Sequence, residues 1–377
     1  MAATTLVRPR PRPGPRPGPG SRRDAARERR PFTRDLGPQW YACVMGTAIV
    51  ATAGAAVGLP DAALLPVWAL SAVLLATLLA ARAVHWARHA DRARAHLADP
   101  AVAPFYGCLS MALLAVGAAT TAAGARVTGA DAAFAVNAAL WMAGTAVGLV
   151  AAVAVPYLMV VRHRVRPGGA SPVWLLPVVA PMVSAATGPA LAPRLPAGQW
   201  RESLVLGCFG MFGMSLLATL MMLPLVFARL VERGPLPLAL TPALFLVLGP
   251  LGQSTTAAGA LADGSAAVPG AFATLYGVPV LGFALLWLAV AGALVARAVR
   301  RGMPFALTWW AFTFPVGTCV TGAASLAEHT GLAAFRGLAV LLYGLLVAAW
   351  LTAAVRTGAA VARGDLPAGP VGGGPSP

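Results

Sequence analysis

Histidines, cysteines, carboxylates and hydroxyls are the residues of this chain whose spacing could do chemistry. His85 and His89 stand four apart with His96 beyond, a spacing that could hold a metal on one helix face. They lie among Arg82, Arg88, Arg92 and Arg94, and histidines of a basic interfacial loop are the better account. Cys43, Cys108, Cys208 and Cys319 sit inside apolar runs and form no C-x-x-C pair, so they read as small buried residues rather than a zinc or dithiol site. A Walker loop, an H-E-x-x-H helix and a convincing dinucleotide fingerprint are all missing. No metal, no cofactor and no enzymatic activity are expected. Asp61, Asp131, Asp263 and Glu328 fall at or near the ends of apolar runs and Glu202 opens one, so no carboxylate lies in the middle of a run. Proton pumps usually need an acid within the membrane, and cation channels often need an acidic ring. A path lined by hydroxyls and backbone suits anions or neutral solutes better.

The elements that would position such a lining are helices in a bilayer. The 377 residues are 58% hydrophobic and only 11% charged, against about 25% charged in a soluble domain. Apolar stretches near the length of a bilayer crossing cover 40–57, 63–84, 104–123, 133–161, 173–192, 203–224, 244–260, 269–296, 304–327 and 332–355. Backbone groups in hydrocarbon must be satisfied internally, which makes the chain an all-α integral membrane protein of ten transmembrane helices; the short alternating segments of a barrel do not appear. Short loops pair consecutive spans as five antiparallel hairpins, with no clear sequence repeat among them.

All 28 basic residues are arginine. The N-terminal tail, every second loop and the C-terminal end carry 24 of them, and the opposite side carries 4, namely Arg126, Arg194, Arg201 and Arg336. That asymmetry places both termini in the cytoplasm of a plasma-membrane protein. The net charge of +16 therefore belongs to a tail and short loops, not to a folded nucleic-acid-binding face. Residues 1–36, with RPRPRPGPRPGPG, read as a disordered tail; 37–357 form the membrane domain and 358–377 a second tail. Arg22-Arg23 and Arg29-Arg30 before an apolar stretch could mark a twin-arginine signal; the motif carried by that stretch, given below, argues against it.

The odd and even spans differ. Ser, Thr, Asn and Gln number 16 in the 99 residues of the odd spans and 9 in the 125 of the even ones. Polar residues in a bundle face its interior or a wet path, so the odd helices are expected to line a conduit and the even ones to face lipid. Gly46, Thr47, Ser110, Ser184, Thr187, Ser254 and Thr318 are the expected pore lining, although hydroxyls also glue helices together. Pro177, Pro181, Pro250 and Pro315 are expected to kink odd helices; Pro279, in the eighth span, fits no such role. Arg194, Arg201 and Arg336 could concentrate anions at the outer mouth.

Three segments carry a family resemblance. Trp40-Tyr41-Ala42-Cys43-Val44-Met45-Gly46-Thr47 resembles the first-helix W-F-x-x-V-M-G-T-G signature of the tellurite-resistance/dicarboxylate transporter (TDT) family, with Ala48 in place of the second glycine. Ala103-Pro104-Phe105-Tyr106-Gly107 is similar to the start of that family's third helix, and Trp309-Trp310-Ala311-Phe312-Thr313-Phe314-Pro315 to its ninth-helix W-W-x-F-T-F-P, collinear over about residues 37–357. The family includes tellurite-resistance proteins, malate and sulfite permeases and the slow anion channels of plant guard cells. The resemblance implies five hairpins in pseudo-fivefold arrangement, a central pore lined by the odd helices and a homotrimer. It also implies a phenylalanine plug, which falls on Phe314, with Phe312 as the fallback. Passage of small anions is the function implied; the alternative is a proton- or gradient-coupled secondary transporter for a C4-dicarboxylate, sulfite or tellurite.

Overall fold

The computed structural model describes residues 36–163, 165, 168–265 and 268–364. The N-terminal tail through Asp35, Arg164, Arg166 and residues 365–377 lie outside them, and with them most of both expected tails. Among the described residues there are helices and no strand. Eight helices are long and apolar enough to cross a membrane. Numbered with their two shorter companions in chain order, they are α1 Tyr41–Ala56, α2 Asp61–Arg88, α3 Ala103–Thr128, α4 Ala130–Val161, α5 Pro172–Arg194, α6 Gln199–Arg233, α7 Leu238–Gly264, α8 Ala271–Arg300, α9 Phe314–Thr330 and α10 Ala333–Ala362. The two shorter ones are α1, of 16 residues, and α9, of 17. The even helices run past the expected boundaries, α10 to Ala362, and a short helix absent from the sequence reading, Ala90–Ala98, follows α2.

Burial separates the two classes. In the most apolar stretch of α3, α5 and α7, 72%, 89% and 83% of residues are buried, against 22% to 33% in the five even helices. Every odd helix packs on the next, α1 on α3, α3 on α5, α5 on α7 and α7 on α9, and α9 packs back on α1. Each even helix packs on its hairpin partner and on one further odd helix. The outward faces of α6 and α10 expose Leu217, Leu220, Leu341 and Val355, as a lipid-facing surface requires.

A structural repeat appears that the sequence pattern had hidden. Each odd helix is preceded or opened by a tight 3-10 segment: Pro38–Trp40, Ala103–Phe105, Pro172–Trp174, Leu238–Val247 and Leu307–Phe312. This corrects the expected kinks. Pro177, Pro250 and Pro315 lie in the first turn of the α-helical part, where a missing N–H leaves no helical bond unmade. Only Pro181 is inside its helix.

Close approach of the inner helices depends on glycine. A Cβ on Gly252 of α7 would meet the backbone of Thr318 and Cys319 on α9 at 2.5 Å, and one on Gly322 of α9 would meet the Gly252 carbonyl at 3.0 Å. A Cβ on Gly282 of α8 would meet nothing within 4 Å. Gly252→Val is therefore expected to destabilise the protein by roughly 1–3 kcal/mol or more, while Gly282→Val is tolerated. Thermal unfolding of the purified variants in detergent checks the contrast.

Candidate functional site

The inner helices enclose a cavity of about 350 Å³ towards their C-terminal ends. Its wall takes Ile49 and Thr52 from α1, Ala118 and Thr121 from α3, Val183 and Thr187 from α5, Gln253 and Thr256 from α7, and Phe314 and Thr321 from α9. One threonine thus comes from each odd helix, and Asn137 of α4 completes the polar wall. No residue of this lining is charged.

The threonine hydroxyls are satisfied locally. Thr52, Thr187 and Thr256 donate to the carbonyls of Ala48, Val183 and Gly252 at 3.0, 2.8 and 3.2 Å, while Thr121 and Thr321 donate to Ala118 and Thr318 at 2.9 and 3.1 Å. Thr256 and Thr321 also lie 2.8 Å apart, bridging α7 and α9. A hydroxyl proton rotates freely, so each can leave its carbonyl and turn to a solute at a net exchange of roughly 1 kcal/mol. Asn137 Nδ2 reaches Thr121 Oγ1 at 3.5 Å. The Gln253 amide, almost wholly buried, makes no hydrogen bond to any described residue, so its N–H₂ is available to a solute in the cavity.

Below the cavity the path narrows and loses its polarity. Phe314 borders the cavity and also a void of only about 10 Å³ lined by Met45, Met111, Leu176, Val179, Leu246 and Pro315. A further void of about 20 Å³, between Ala42, Phe105, Val173, Leu246 and Ala311, lies nearer the N-terminal ends. Phe314 itself is 2% exposed. The fallback position, Phe312, packs elsewhere: its ring is edge-on to Phe245 at 4.8 Å and to Trp309 at 5.9 Å.

The expected lining needs correction at most positions. Thr187 borders the cavity, but Thr47, Ser110, Ser184, Ser254 and Thr318 do not, and each is at most 1% exposed. Thr47 accepts the indole N–H of Trp350 on α10 at 3.1 Å, and Ser110 donates to the Gly144 carbonyl on α4 at 2.6 Å. Ser184 accepts from Thr145 at 2.9 Å; Ser254 and Thr318 donate to Leu251 and Pro315 within their own helices. Gly46 is a close-approach residue, since a Cβ there would collide with Thr313 and Trp310. The cavity-side stripe runs instead through Met45, Ile49 and Thr52 of α1, and through Met111, Ala115 and Ala118 of α3, at helical spacing. The expected residues lie on the helices that border the cavity but, apart from Thr187, on a neighbouring face.

Indole N–H groups hold the outer helices to the inner ones. Trp68 of α2 donates to Thr120 on α3, Trp141 of α4 to the Ser184 carbonyl on α5, and Trp287 of α8 to the Leu244 carbonyl on α7, at 3.0, 3.0 and 2.9 Å. At the N-terminal ends, buried Arg82 of α2 donates to the Leu36 carbonyl at 2.7 Å and to Tyr106 Oη at 2.5 Å. At the opposite ends, Arg126 pairs with Asp61 and Arg194 with Asp131, and Arg201 donates to the Pro193 and Leu195 carbonyls. Of the three arginines expected to concentrate anions at the outer mouth, Arg194 is paired with an acid, whereas Arg201 and Arg336 have no acidic partner among the described residues. Among the described residues no cluster of three or more metal-ligating side chains occurs.

A helical membrane protein whose most buried helices enclose an uncharged, hydroxyl-rich cavity closed by an apolar neck is built for passage of a solute. The sequence matches the family described as voltage-dependent anion channel over residues 35–358, and the chain belongs to that family. Among its relatives are two uncharacterized transporters of Methanocaldococcus jannaschii. One is 25% identical over 91% of this chain and 98% of its own length, the other 23% identical over 89% and 97%. A sulfite efflux pump of Arthroderma otae is 28% identical over 56% of this chain and 60% of its own length.

The two kinds of hydroxyl separate in experiment. Thr47→Val removes the acceptor of the Trp350 indole and is expected to cost about 1 kcal/mol of stability. Thr52→Val, whose hydroxyl serves only Ala48 and the cavity, leaves the unfolding temperature unchanged. Tryptophan fluorescence during thermal unfolding in detergent reads both.

Proposed function

We propose that the chain passes small anions through a central conduit in which the ten helices form five hairpins in pseudo-fivefold arrangement, and that Phe314 is its gate. One observation carries the reading: Phe314 forms a wall of both the hydroxyl-rich cavity and an apolar void of about 10 Å³ beneath it. An anion in the cavity keeps partial solvation from threonine hydroxyls and amide N–H groups. In the neck it meets only hydrocarbon, sulfur and aromatic carbon, where stripping the remaining water costs several kcal/mol. Swinging the Phe314 ring towards the cavity would widen the neck. An uncharged lining also keeps affinity low, so that an anion can leave as well as arrive.

The arginine asymmetry supports cytoplasmic termini in a plasma membrane, and the family resemblance supports a homotrimer. The relatives named as sulfite efflux pumps favour an oxyanion such as sulfite among the solutes. They also support the second reading, a secondary transporter for sulfite, tellurite or a C4-dicarboxylate. For that reading, His329 Nε2 of α9 lies 3.2 Å from Asp263 Oδ1 of α7, at the ends of two inner helices. Uphill uptake of sulfite or malate driven by a pH gradient in proteoliposomes would establish the transporter; large single-channel currents would establish the channel.

Phe314→Ala is expected to raise anion flux into proteoliposomes at least tenfold, with unchanged elution on size exclusion. Unchanged flux from a folded variant removes Phe314 from the gate. In the Phe314→Ala background, exchanging both Thr256 and Thr321 for Val is expected to lower flux about thirtyfold, at roughly 1 kcal/mol per hydroxyl.

A further inference from the structure

At the arginine-rich end of the bundle, away from the conduit, the end of α6, the turn into α7 and the end of α8 surround a cavity of about 390 Å³. Arg229, Arg297 and Arg301 line it together with Thr241, and no acid lines it. Arg229 is fixed, donating from Nη1 to the Gly234 carbonyl at 2.5 Å. The Arg297 and Arg301 side chains make no hydrogen bond or ion pair to any described residue. Arg229 and Arg297 are half-buried.

We propose that this cavity is a binding site for a phosphoryl group, supplied by a phospholipid headgroup or by soluble phosphate. Three arginines lining one cavity offer planar guanidinium forks that match the oxygens of a phosphate, with no acid in the lining to compete. Basic pockets between membrane helices on the arginine-rich side hold lipid phosphates in this way. The neighbouring surface suits an attached chain. Leu225, one turn before Arg229 on α6, and Val290, two turns before Arg297 on α8, are 51% and 44% exposed on the faces that lead away from the cavity.

Native mass spectrometry of the full chain in detergent with phosphatidylglycerol or phosphatidylcholine, and calorimetric titration of the same sample with inorganic phosphate, test the site. One saturable ligand is expected in at least one arm. Arg297→Gln weakens it about tenfold or more, and Arg297→Lys, which keeps the charge and loses the fork, weakens it less. Arg300→Gln removes the same charge from the same helix outside the cavity lining and leaves the affinity unchanged. Preferential retention of phosphatidylglycerol without phosphate binding assigns the site to lipid; phosphate binding without lipid preference assigns it to a soluble ligand. Absence of saturable binding in both arms, or equal weakening by Arg297→Gln and Arg300→Gln, overturns the proposal.

Discussion

In hydrocarbon a polar group without a partner costs several kcal/mol, and the arrangement of this chain follows from where it accepts that constraint and where it escapes it. Backbone groups escape it by helix formation almost throughout the described residues. Side-chain hydroxyls and indoles escape it by pairing across helices, as Trp350 does with Thr47, Trp68 with Thr120 and Ser110 with the Gly144 carbonyl. The threonines of the central cavity are satisfied in a way that can be undone, because their protons go to carbonyls of their own helices and can turn elsewhere. Bolts and lining use the same residue types, and only the face of the helix distinguishes them.

The division of labour between helices has the same origin. The even helices meet lipid and carry long apolar side chains outward, so they tolerate substitution at glycines such as Gly282. The odd helices meet one another, so small residues bring them close at Gly252 and Gly322, and their polar atoms gather where they diverge into a cavity. Tight 3-10 segments at their N-terminal ends change the helix pitch just where Pro177, Pro250 and Pro315 enter the first α-helical turn. The apolar neck at Met45, Met111 and Leu246 lies on that N-terminal half, and Phe314 borders both it and the cavity.

Much of this was legible in the residues. Apolar runs gave the helices to within a few residues at most ends, and the surplus of hydroxyls in odd spans pointed to the helices that are most buried. The face of each helix was not legible. Ser110, Ser184 and Ser254 each stand one residue from a position on the cavity or neck stripe, Met111, Val183 and Gln253, and one residue turns a side chain by about 100° on a helix. An internal helix that is apolar on every side gives no amphipathic signal to fix its rotation. The 3-10 repeat was hidden because its sequences, Pro38-Gln39-Trp40, Ala103-Pro104-Phe105 and Pro172-Val173-Trp174, share only a proline one or two residues before an aromatic. The pairing of Arg194 was not legible because its partner, Asp131, is 63 residues away.

The central claim is that the hydroxyl-rich cavity is wet and that Phe314 alone seals it from the neck. Thiol labelling tests this directly with Cys108, which lines the void nearer the N-terminal ends, replaced by Ala; Cys43, Cys208 and Cys319 are buried and give a quiet background. A charged, membrane-impermeant thiol reagent is applied from the arginine-poor face to Thr256→Cys and to Leu246→Cys. The account predicts that Thr256→Cys reacts readily in either background and that Leu246→Cys reacts only when Phe314 is replaced by Ala. Equal labelling of Leu246→Cys with Phe314 in place, or no labelling of Thr256→Cys, would contradict it.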